Sequence, residues 1–199
     1  MSKLIKIIPF GWLADFGHGI ILSILITHIF DIDYSILYLF FGILFSILPD
    51  LDAIDEFFKY KSVAASKDRP KDHRDGWHYP VIWVFVGVVI TILDSFWGVF
   101  FLSSIIVHFL NDSWGTGWGI QWLWPISNKS YKFLSHKNKD AGVSVENIIV
   151  SWTPEEKKDV MSKLGNPNWV KDTYLTFNKI SVIEIGTFIL GIIFLFIFL

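Results

Sequence analysis

Histidine and aspartate recur at chemically useful spacings in four separate stretches of this 199-residue chain. Asp15 and His18 come first, followed by Pro49-Asp50-Leu51-Asp52, then His73-Arg74-Asp75-Gly76-Trp77-His78, and finally His108 with Asp112. The last two are four residues apart, so a helix places them on one face. Neutral imidazole and carboxylate together suit zinc, iron or manganese. The chain has no cysteine, which excludes a thiolate zinc site and a disulfide scaffold. One zinc takes three or four protein ligands, yet the candidates number seven: His18, Asp50, Asp52, His73, His78, His108 and Asp112. The surplus leaves two alternatives, a pair of ions or one ion whose ligands are backed by further polar groups. A bound divalent ion brings the pKa of water toward neutrality, which is the chemistry of ester or phosphoester hydrolysis. Asp52 and Arg74 are the candidate catalytic residues, Arg74 as a fork that grips an anionic group.

The elements that must position these residues are apolar. Of the chain, 52% is hydrophobic and 18% charged, where a soluble domain carries about 25% charge. Mean hydropathy is +0.47. An integral membrane protein is the class this implies. A net charge of −2 gives no pull toward nucleic acid. Apolar stretches cover residues 16–30, 36–49, 79–93, 96–110 and 181–199. Only the last has the ~20 residues of a comfortable span; aromatic flanks are expected to lengthen the others to the interface. A short interfacial piece is expected at residues 4–8, ahead of Pro9 and Gly11, with no removed signal peptide. The basic residues fall at Lys3 and Lys6, between Lys59 and Arg74, and between Lys129 and Lys179. With five spans, all three groups share one side, and the positive-inside rule makes it cytoplasmic together with the N-terminus. The four His/Asp stretches then lie at the cytoplasmic membrane face, because charge is expensive deeper in.

Between the fourth and fifth spans the character changes. Thr153-Pro154-Glu155-Glu156 reads as a capping box with proline at the first helical position, and Gly165-Asn166-Pro167 as a stop. Helices are expected near residues 154–164 and 168–179, within a small helical cytoplasmic insert at 127–180. Other polar residues receive ordinary roles. Asp15 is expected to orient His18 or cap its helix, His28 to be interfacial, His136 to be a solvated loop residue, and Glu184 to snorkel. Trp114, Trp118, Trp122 and Trp124 are expected to form an interfacial belt.

At these residues the chain resembles the LexA-regulated, YdjM-like family of integral-membrane, metal-dependent hydrolases. That family's pattern has an early His, then Pro-Asp-x-Asp, His-Arg-Gly-x-Thr-His-Ser and a His-x-x-x-Asp helix. A turn with Gly and Thr then leads to Trp-Pro. Here these are His18, Pro49 to Asp52, His73 to His78, His108 to Asp112, and Thr116-Gly117 followed by Trp124-Pro125. The likeness covers roughly residues 15–126. Asp75 stands where Gly is usual, Trp77 replaces the Thr before the second His, and Tyr79 the Ser after it. The histidine spacing is kept, so metal binding carries over better than substrate contacts.

The expectation is an all-α membrane protein with a bundle of about five transmembrane helices. Residues 1–126 form a four-span membrane domain, 127–180 the insert and 181–199 the last span. It is expected to be a multi-pass inner-membrane protein and a metal-dependent hydrolase. Zinc is favoured, with manganese or iron as alternatives and two ions admitted. Membrane lipids are its surroundings, and a lipid-like or phosphoester compound its substrate. Rival classes are an ion or small-solute transporter, which would spread polar groups through the membrane depth, and a non-catalytic membrane interaction protein.

Overall fold

The computed structural model describes residues 11–60, 63, 65, 70–71, 73–115, 117–133, 148–166 and 168–198. The expectations for residues 4–8, His136, Thr116 and Pro167 lie outside the described residues. The described chain is mostly helical and divides into two compact units, the first being Met1–Leu51, Ile82–His108 and Trp169–Leu199, the second Asp52–Val81 and Phe109–Asn168.

Apolar helices dominate the first unit. α1 (Leu13–Ile29) packs against α2 (Ile36–Ile47) and against the last helix, Lys179–Phe198. Small residues make these approaches possible, as expected where lipid removes the hydrophobic drive between helices. A Cβ on Gly17 would meet the backbone of Thr187 at 2.5 Å, and one on Gly19 the backbone of Gly42 at 2.6 Å. At the C-terminal end of α1, Ile26, Phe96 and Phe100 form a core lined by Phe30, Tyr38 and Trp97. Their rings meet mainly edge to face, as between Phe30 and Phe96 at 5.5 Å.

Among the described residues, three helices are long and apolar enough to cross a membrane: Ile36–Tyr60, Ser95–Trp114 and Lys179–Phe198. Leu13–Ile29 and Pro80–Leu93 are apolar but shorter. The second span does not close at Pro49 as the apolar stretch suggested. A 3₁₀ turn, Leu48–Asp50, carries the chain into α3 (Leu51–Tyr60). Proline is tolerated there because early helical positions need no N–H donor. α4 is the single turn Arg74–Trp77, α5 is Pro80–Leu93, and α6 is Ser95–Trp114. Glu184 does not snorkel: it is 2% exposed. His28 is exposed.

The second unit contains a two-stranded antiparallel ribbon, which the helical reading of the insert lacked. β1 (Ser130–Phe133) pairs with β2 (Ile149–Trp152) in the register Ser130 to Trp152. Strands of four residues separated by a long excursion leave little periodic signal. α7 (Pro154–Leu164) forms as expected, with both hydrogen bonds of the Thr153–Glu156 capping box. It ends at Gly165 with φ −57°, so no left-handed residue is used. The expected helix at 168–179 is broken, back in the first unit. α8 (Trp169–Tyr174) stops, and Asn178 Oδ1 accepts from the amides of Ile180 and Ser181 to start α9 (Lys179–Phe198).

Candidate metal centre

Each unit gathers part of the His/Asp set. In the second unit, α3 supplies Asp52 in its first turn, and His73 and His78 flank α4. A single helical turn between the two histidines brings their rings to 5.4 Å, edge to face. Asp52, His73 and His78 each offer a ligand atom, all within 4.8 Å of one another, and so could hold a metal ion. His78 is fully buried. Its Nδ1 lies 3.6 Å from Asp52 Oδ2, too long for a hydrogen bond, and its Nε2 lies 3.2 Å from Asp112 Oδ2. The other oxygen of Asp112 pairs with Arg74 Nη2 at 2.6 Å. Arg74 is itself buried. Gly117, at φ +91°, lies against that guanidinium, and a Cβ there would collide with Nη1.

In the first unit, α6 brings His108 to Asp15 of α1 and to Asp50. His108 Nδ1 is 3.1 Å from Asp15 Oδ1, and Nε2 is 3.8 Å from Asp50 Oδ1. Trp12 Nε1 donates to the other oxygen of Asp50 at 2.9 Å. A carboxylate behind one ring nitrogen fixes the tautomer and aims the other nitrogen, the arrangement found behind metal-ligating histidines. Asp15 therefore serves His108, ninety-three residues away, a partner that its closeness in sequence to His18 did not suggest. His18 is half-buried and within electrostatic range of His108, and among the described residues no set of convergent ligand atoms includes it. Chain continuity links the two sets: Asp50 precedes Asp52 by two residues, and His108 precedes Asp112 by one turn of α6.

Several supporting residues carried no signal as chemistry. Lys157 of α7 is buried, with Nζ donating to Asp75 Oδ1 at 2.7 Å and to the Gly119 carbonyl at 3.5 Å. Its position one turn before the buried Met161 marks it as an inward-facing residue of α7. Lys132 of β1 donates to the carbonyls of Gly115 and Gly117 at 2.7 and 3.0 Å. Two of the expected belt tryptophans have partners inside this unit. Trp122 donates to Ser113 Oγ at 2.7 Å and stacks on Phe133, and Trp124 stacks on Tyr79 at 4.6 Å.

Buried carboxylates and imidazoles on apolar helices fit a membrane protein with a polar centre, since such groups are retained in membrane chains where they are paired or used. No curated protein and no solved structure matches the chain. A family model, that of the YdjM inner membrane protein, matches residues 14–198, nearly the whole length. The chain belongs to the YdjM inner membrane protein family.

Proposed function

We propose that this protein is a membrane-embedded, metal-dependent hydrolase acting on a lipid-like or phosphoester substrate at the cytoplasmic face. The observation that carries the reading is the convergence of Asp52, His73 and His78, with ligand atoms within 4.8 Å of one another inside one unit. Two imidazoles and a carboxylate are a ligand set of catalytic zinc sites, and also suit iron or manganese. An ion bound there would polarise a phosphoryl or carbonyl oxygen and acidify water. The chain's own groups do the rest. Asp112 holds the His78 ring and Arg74 holds Asp112; the other unit has its own pair of potential ligands in Asp50 and His108. Arg74, buried and ion-paired, is assigned to positioning and not to the substrate.

Elemental analysis of the protein purified without chelator tests the reading, together with turnover of a phospholipid and phosphoester panel. About one or two equivalents of zinc, manganese or iron are expected. Turnover should vanish on chelation and return with one of those ions. A protein that retains no metal and hydrolyses nothing overturns it.

We further propose five crossings, with the N-terminus cytoplasmic, because that arrangement puts every basic segment on one side. The natural chain has no cysteine, so single cysteines report cleanly. At the exposed positions Asn128 and Asp33, Asn128→Cys should resist an impermeant thiol reagent in intact cells and Asp33→Cys should react. The opposite pattern inverts the topology.

A further inference from the structure

Lys157 is 3% exposed, although an ammonium is among the costliest groups to desolvate. It also stands in the first turn of α7, where the helix dipole disfavours a cation. Something must offset both effects, and the structure has it: Asp75 at 2.7 Å, eighty-two residues away in α4, the single helical turn between His73 and His78. The same ammonium reaches the Gly119 carbonyl at 3.5 Å. A second lysine repeats the device. Lys132, on the ribbon, reaches the carbonyls of Gly115 and Gly117, in the turn that follows Asp112 and presses Gly117 against Arg74. Ribbon, α7 and both gripped stretches belong to one compact unit.

We infer that β1, β2 and α7 form a clamp, in which Lys157 and Lys132 are positioning residues that hold the two stretches framing the His78–Asp112–Arg74 chain. Lys157 fixes α4, the helical turn that His73 and His78 flank. Lys132 fixes the turn that backs Arg74, and through Arg74 the carboxylate of Asp112. The role assigned to the clamp rests on the metal reading above, but its mechanical part does not.

The test uses the full-length protein in detergent, with and without added zinc. Lys157→Met keeps the aliphatic stem and removes the charge; Asp75→Asn removes the partner at constant volume. Either change should weaken zinc affinity by about 10- to 100-fold, as loss of outer support does at other metal sites. Lys157→Arg should restore most of it. In the metal-free protein, Lys157→Met should speed amide exchange at residues 73–79, and Lys132→Met should speed it at 117–120. Unchanged exchange in these stretches overturns the clamp. Faster exchange with unchanged zinc affinity also overturns it as a positioning device. If the natural protein binds no ion, the hydrolase reading fails, and amide exchange alone decides whether the ribbon and α7 clamp.

Discussion

Alanine at His78 should leave the protein folded but unable to retain metal or turn over substrate. The ring is fully buried and faces carboxylates from both nitrogens, Asp52 at 3.6 Å and Asp112 at 3.2 Å. Losing a group that merely supports a ligand costs about 10- to 100-fold in affinity or activity, so losing a ligand should cost at least about 100-fold. Asp52→Ala and His73→Ala should behave alike, because their ligand atoms belong to the same grouping. His28→Ala is the control, since that ring is exposed and in the other unit. Metal content of all four variants, with thermal unfolding to verify folding, checks the set. Equal metal content in His78→Ala and His28→Ala would remove His78 from the centre.

Removing the charge of Arg74 should destabilise the fold as well as the centre. Its ion pair with Asp112 is short and buried on both sides, at 2.6 Å with side-chain exposures of 10% and 6%. Breaking such a pair leaves an uncompensated carboxylate, at a cost of about 3–5 kcal/mol. Arg74→Met should therefore lower the unfolding midpoint and release metal. The double variant Arg74→Met, Asp112→Asn should recover much of the stability, because no buried charge is then orphaned. Arg74→Lys keeps the charge but loses the planar fork, and should fall between the two. An arginine reserved for substrate would behave differently, with stability and metal content untouched and only turnover reduced. Denaturation midpoints, metal stoichiometry and turnover across the four proteins separate these outcomes.

The apolar helices were legible because hydropathy and length are local properties. The capping box at Thr153 was legible for the same reason, since its donor and acceptor are three residues apart. The ends were less so. Continuation of the second span through Pro49 into α3 depends on a 3₁₀ turn that apolar counting does not register. Likewise β1 and β2 pair residues that are sixteen or more positions apart in sequence, with only four residues each to announce them.

The sequence by itself determined the ligand types, their order and their recurrence at the ends of apolar segments, because burying carboxylate and imidazole in a membrane chain is costly enough to be conspicuous. It also determined that His108 and Asp112 share a helix face. Only the tertiary structure decided the pairings: Asp15 with His108, Arg74 with Asp112, Lys157 with Asp75. Residue type cannot distinguish these from their alternatives. Asp15 is chemically as good a partner for His18 as for His108, and Arg74 for Asp52 as for Asp112. The choice among them is made by the path of the chain, which the packing of Gly17 on Thr187, of Gly19 on Gly42, and of Gly117 on Arg74 helps to set.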